Sequence, residues 1–175
     1  MPIIVCPLSR APELARERRP SHVVSLLDPG SAFPILNDHR HLRLELHDIE
    51  AEQDGLDAVC DARMGQLLSF VQSWERAAPI LIHCFAGISR STATAYITAC
   101  AHNPDVDERR IAQTLRNVSP TATPNRRLVA LADAALGRSG RMSAAVVGIG
   151  RGYPRWPDLE EAEPFTLPSA YQAAG

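Results

Sequence analysis

The chain has 175 residues, of which 45% are hydrophobic and 22% charged, the balance of one soluble globular domain with a sizeable core. A net charge of −2 gives no electrostatic reason to expect nucleic acid or an anionic membrane as a partner. The basic residues are all arginine, and with the abundant alanine this points to a GC-rich bacterial genome. Cys6, Cys60, Cys84 and Cys100 include no Cys-x-x-Cys pair, which argues against a zinc ribbon or a thioredoxin-like motif. They read as free thiols in a reducing compartment. The start Met1–Cys6 lacks the basic region and long apolar run of a signal peptide, and no stretch has the length of a membrane span. The expectation is a cytoplasmic monomer.

In chain order, Ile3–Cys6 reads as a short buried strand, followed by a one-face helix within Pro7–Arg19 that Pro20 stops. His22–Leu27 is a second strand, ended by the turn signal Asp28-Pro29-Gly30, with more loop at Pro34, Asn37 and Asp38. His41–His47 alternates, with Leu42, Leu44 and Leu46 on one face, as in a half-exposed strand. An acidic stretch follows through Asp57. Asp61–Ala77 then carries Met64, Leu67, Leu68, Val71 and Trp74 at helical spacing. Pro79 leads into the apolar strand Ile80–Ile82, and Arg90–His102 can continue as a helix up to the break at Asn103-Pro104.

Asp105 or Asp107 caps a further helix that contains Ile111 and Leu115. Residues 119–124 are a linker, and Asn125–Leu136 is a helix with Gly137 as its C-cap. From Ser139 to Gly175, glycines and prolines recur and the aromatics Trp156, Phe165 and Tyr171 stand alone. This reads as an extended segment packed on the domain, with Val146, Val147 and Ile149 as a short strand or docked piece. Strands alternating with helices predict an α/β fold: a central, mostly parallel sheet of four to five strands flanked by helices. The predicted units are a catalytic domain over 1–138 and the C-terminal segment over 139–175.

Between Ile82 and the helix at Arg90 lies His83-Cys84-Phe85-Ala86-Gly87-Ile88-Ser89-Arg90-Ser91. A chain that leaves a buried strand and turns at once into a helix aims successive backbone N–H groups inward, a nest for an anion. Gly87 allows the turn. The same field favours a thiolate at Cys84. Arg90 offers a planar fork to two phosphate oxygens. Thiolate, cradle of N–H groups from Phe85 to Arg90, and arginine together describe phosphoryl transfer to sulfur, with no metal and no cofactor.

His83-Cys84, five residues, Arg90-Ser91 resembles the signature of the cysteine-dependent protein tyrosine phosphatases, and the fuller HCFAGISRS is similar to their dual-specificity branch and its compact bacterial relatives. The flanking pattern extends the likeness over residues 1–140. The resemblance implies a phosphatase-like fold, Cys84 as nucleophile, Arg90 as phosphate ligand, and Ser91 as the hydroxyl that helps the thiolate leave. Ser91 could equally cap the helix. His83 is expected to support the loop rather than to act as a base.

The resemblance also implies an aspartate acid from an upstream loop. Asp48, at the end of the alternating strand in His47-Asp48-Ile49, is the first candidate and Asp54 the second, with Asp57 behind them. Pro124-Asn125 resembles a pair that supports the catalytic loop in relatives, though Asn125 serves equally as an N-cap. His22, His39, His41 and His102 show no metal-ligand spacing and read as surface or strand residues. The loop residues Phe85, Ala86, Ile88 and Ser89 carry no positive charge, which argues against a highly anionic inositol phosphate. The expected substrate is a phosphorylated protein, through phosphotyrosine or with mixed specificity. The competing readings are a phosphate-binding module without turnover and a rhodanese- or arsenate-reductase-like cysteine enzyme.

Overall fold

The computed structural model describes residues 1–36, 39–154 and 159–172. The loop expected at Asn37 and Asp38, and the aromatic Trp156 with Pro157, lie outside the described residues. Five strands form one sheet: β1 (Ile3–Pro7), β2 (His22–Leu27), β3 (Arg40–Glu45), β4 (Ile80–Cys84) and β5 (Phe165–Leu167), in the order β3-β2-β4-β1-β5. The first four are parallel, and β5 runs antiparallel to β1. The helices are α1 (Ala11–Arg18), α2 (Asp61–Gln72), α3 (Arg90–His102), α4 (Glu108–Val118), α5 (Arg126–Ala135) and α6 (Arg141–Ile149).

β1, β2 and β4 are buried at every position, as inner parallel strands covered on both faces must be. The alternating β3 lies at the edge, with Leu44 turned into the core. Helix α1 covers one face, packing Ala11, Leu14 and Ala15 on Ile4, Cys6, Val23 and Leu81. The other face meets α2 to α6 in the main core. Every residue of α3 from Arg90 to Cys100 is buried. Its alanines, serine and threonines let it lie close to the sheet while neighbouring helices surround it. A helix enclosed on all sides shows no single apolar stripe.

Three local readings are corrected. Helix α2 stops at Gln72 rather than Ala77: the Ser73 hydroxyl turns back onto the Phe70 carbonyl (2.7 Å), and the Trp74 indole donates to the Ala78 carbonyl (2.8 Å). The segment after 138 is not extended throughout, and Val146, Val147 and Ile149 belong to helix α6 rather than a strand. That helix starts at Gly140, at φ +84°, and its first N–H groups are satisfied from α5, where the Asp133 carboxylate accepts from Gly140 N (2.6 Å) and Ser143 N (3.0 Å). The same segment ends in β5, which covers the free edge of β1 with Leu167 opposite Ile3.

The register sets up the site. Pro7 lies opposite Cys84, Ser25 opposite His83, and Leu27 opposite Glu45. The C-terminal ends of β1, β2, β3 and β4 therefore meet at one edge of the sheet, where ligands bind in open α/β folds.

Candidate active site

The loop between β4 and α3 is held from outside by its carbonyls. Phe85 O accepts from Leu8 N (3.0 Å), Ala86 O from Ala162 N (2.8 Å), Ile88 O from Thr123 N (2.9 Å), and Ser89 O from Ala93 N (2.9 Å). With the carbonyls turned outward, the N–H groups turn inward. Among the described residues, none of the N–H groups from Phe85 to Arg90 donates to a protein acceptor. Gly87 sits at φ +74°, and a Cβ there would meet Pro7 N at 2.9 Å and Cys6 C at 3.0 Å. Only glycine lets the loop rest on the end of β1. The expected cradle is thus a set of unpaired donors at the N-terminus of a 13-residue helix.

Cys84 is buried at the entrance to this loop, its Sγ 3.1 Å from Ser91 Oγ. Ser91 therefore faces the thiol rather than capping the helix. Arg90, also buried, is gripped on one side only. Its Nη1 donates to Asp28 Oδ1 and to the Leu46 carbonyl, both at 2.6 Å. Its Nε is buried with no hydrogen-bond partner, 3.9 Å from Asp48 Oδ2. A buried guanidinium with one nitrogen saturated and Nε left unpaired is poised for an anion.

Asp48 follows β3 and reaches the loop. Its Oδ1 accepts from Ser89 Oγ (2.7 Å) and from Asn125 Nδ2 (2.8 Å). Asn125 caps α5, its Oδ1 accepting from Leu128 N (3.0 Å); its Nδ2 donates to Asp48, and its backbone N to Ser89 O in the loop (3.4 Å). Asp54 lines a separate cleft with Glu52, Asp57, Cys60 and Arg127. Asp57 sits there too, its backbone paired with His47. Beside the loop, a cavity of about 500 Å³ is lined by Asp48, Glu50, Ile88, Ser89, Arg151 and Pro154 among others. A cleft of about 510 Å³ between α4 and the turn before α6 is lined by no cysteine.

His83 is buried, and its Nε2 shares a hydrogen bond of 2.5 Å with Ser25 Oγ. Burial pushes its pKa down to about 4, so the ring is neutral near pH 7. Cys6 and Cys100 are buried thiols, each pushed up to about 12 chiefly by burial, and hence inert. All four cysteines are free.

Two site residues escape the sequence reading. Asp28 appears there only as part of a turn, yet it anchors Arg90. His41, read as a surface or strand residue, is half-buried and bonded to Ser25. Neither carries a local motif; both become visible once β2 is known to lie between β3 and β4.

The protein-tyrosine phosphatase family model matches residues 57–126. A search of curated proteins by sequence finds no match. Among solved structures, DUSP15 is similar with a TM-score of 0.58 and 19% identity, covering 83% of this chain and 88% of that chain. The human tyrosine phosphatase-like serine/threonine/tyrosine-interacting protein is similar with a TM-score of 0.58 and 18% identity, over 77% of this chain and 91% of that one. PTPMT1 in complex with PI(5)P is similar with a TM-score of 0.55 and 11% identity, over 77% and 88%. The family match over residues 57–126 and the fold shared with the dual-specificity phosphatases agree with what the His83–Ser91 motif implies: the chain is similar to the cysteine-dependent protein tyrosine phosphatases, with the compact fold of the dual-specificity structures.

Proposed function

We propose that this chain is a metal-independent protein phosphatase that hydrolyses phosphotyrosine, with phosphoserine and phosphothreonine also open to it, through a phosphocysteine on Cys84. The observation that carries the reading is the ring of unpaired donors at the thiol: the N–H groups from Phe85 to Arg90 and the buried Arg90 Nε. They are oriented before any phosphate arrives, so little reorganisation is needed as charge builds on the transferring group.

In the first step the Cys84 thiolate attacks phosphorus, the ester oxygen departs, and Asp48 gives it a proton. In the second, Asp48 takes a proton from water, whose oxygen attacks the phosphocysteine. The thiolate then leaves with the Ser91 hydroxyl hydrogen-bonded to it. Phosphate is the product, and both side chains return to their starting states. A general acid of this kind contributes about 10²–10⁴-fold. Asn125 and Ser89 position it.

The uncharged side chains of Phe85, Ala86, Ile88 and Ser89 favour a singly phosphorylated protein side chain over a polyanionic lipid headgroup. Phe85, 62% exposed at the rim, offers an apolar surface to an aromatic ester. In this reading the chain works as a cytoplasmic monomer, with residues 1–138 as the catalytic domain and 139–175 as a segment packed on it.

The test is turnover of an aryl phosphate in the presence of a chelator. Wild type is expected to turn over, while Cys84→Ser binds phosphate or vanadate without turnover. Substantial activity in Cys84→Ser rejects Cys84 as nucleophile. Binding without turnover in the wild type favours the phosphate-binding module instead.

A further inference from the structure

Three side chains join the edge of the sheet to the residue before the thiol. His41 on β3 reaches Ser25 Oγ on β2 through Nε2 at 2.7 Å, and Ser25 Oγ reaches His83 Nε2 on β4 at 2.5 Å. Ser25 and His83 are fully buried, and the strand order β3-β2-β4 makes the chain of contacts continuous.

The direction of the protons can be worked out. Arg43 Nε donates to His41 Nδ1 (3.4 Å), and arginine has no lone pair to accept with, so Nδ1 is unprotonated. Burial, then Arg43, then His39 lower the pKa of His41 to about 4, so the ring is neutral and its proton is on Nε2. Nε2–H therefore donates to Ser25 Oγ. Ser25 Oγ has two lone pairs and could accept from both rings, but its own buried proton would then have no acceptor among the described residues; with His83 Nε2 unprotonated, each proton along the chain has one. Neutral His83 consequently carries its proton on Nδ1. That nitrogen is fully buried; the Cys84 backbone is its near acceptor, at a geometry short of a hydrogen bond. The opposite tautomer would set the Nδ1 lone pair against the same backbone and leave the buried Ser25 proton with no acceptor among the described residues.

We infer that His41 and Ser25 are positioning residues that fix His83 as its Nδ1–H tautomer, so that a line of donors from the edge strand ends at the backbone of Cys84 and steadies its thiolate. This rests on the reading of Cys84 as a thiolate nucleophile, but it can be measured without turnover. The titratable groups bearing on His41 are Arg43 on its own strand, His39 just before that strand, and His83 across Ser25.

The test pairs nitrogen NMR of His83 in the wild-type protein with the pH dependence of Cys84 alkylation in variants. His83 is expected as Nδ1–H near neutral pH; finding Nε2–H or an imidazolium overturns the proposal. His41→Gln keeps a donor nitrogen near the position of Nε2 and is expected to behave as wild type. His41→Leu and Ser25→Ala are expected to mix the His83 tautomers and raise the alkylation midpoint by about one pH unit, a tenfold loss of thiolate below it. The proposal fails if His41→Leu leaves both readouts unchanged, or if His41→Gln matches His41→Leu. Should a variant not fold, the wild-type tautomer still decides. Absence of phosphatase turnover with the tautomer as expected would refute the proposed function and leave this inference standing.

Discussion

Asp28 is the residue on which the orientation of Arg90 depends. Arg90 Nη1 has two hydrogens, one given to Asp28 and one to Leu46 O, and this leaves Nε and Nη2 as the edge open to the phosphate in the proposed reaction. Replacing Asp28 with alanine removes one charged anchor. The guanidinium is then drawn toward Asp48, whose Oδ2 already lies 3.9 Å from Nε. A hydrogen bond between charged groups contributes about 1.5–3 kcal/mol when shielded from water. The Asp28 side chain is 52% exposed and the Arg90 side chain 5%, so screening reduces this to about 1–1.5 kcal/mol. The expected cost is about tenfold in kcat/KM for an aryl phosphate, with a similar loss in vanadate affinity. Asp28→Asn keeps an oxygen acceptor and should recover most of it. Steady-state kinetics and vanadate inhibition of both variants make the test. Activity of Asp28→Ala within twofold of wild type would refute the argument that Arg90 needs this anchor.

The remaining predictions concern the acid, the loop and the frame. Asp48→Asn should lower kcat for a poor leaving group by about 10²–10³-fold and abolish the basic limb of the pH–rate profile, while Asp54→Asn leaves both intact; the reverse pattern assigns the acid to Asp54. Gly87→Ala must place a Cβ within 3.0 Å of the β1 backbone at a positive φ, so vanadate binding should be lost along with activity even where circular dichroism shows a folded protein.

Glu108 joins α4 to the turn before α6 and to α6 itself through Arg138 and Arg141, at 3.1 Å each. Burial pushes its carboxyl up, but hydrogen bonds and charge from Arg141, with Arg138, more than offset this and hold it below the usual range. Glu108→Ala should therefore cost about 3–5 kcal/mol near neutral pH, because Arg138 is left buried without its partner. Because the folded-state pKa is depressed, this stabilisation is present above the unfolded value of 4.5 and is lost as pH falls through the folded one. Thermal melts of wild type and variant should then converge on acidification; a constant gap would contradict the assignment.

What could be read from the chain and what could not divide along a physical line. The strand Ile80–Cys84, its loop and α3 are contiguous, so their spacing alone exposes strand, anion cradle and helix. Asp48 could be nominated because it directly follows an alternating strand. Asp28 could not, because its role needs the end of β2 brought next to Arg90, 62 positions away in sequence. The same holds for His41 and Ser25, whose connection to His83 exists only through the lateral order of three strands. Helix α6 was hidden by its glycines and by a cap supplied from Asp133 on another helix. β5, three residues between Pro164 and Pro168, is defined by its partner β1 rather than by any period of its own.

The central claim is that Cys84 carries the phosphoryl group between two chemical steps. Rapid acid quench during turnover of an aryl phosphate, followed by peptide mass spectrometry, tests it most directly. The account predicts one phosphoryl group on the peptide containing Cys84. It also predicts accumulation when Ser91→Ala slows the departure of the thiolate, and none in Cys84→Ser. Turnover with the label on another residue, or with no covalent phosphoenzyme even in Ser91→Ala, would contradict it.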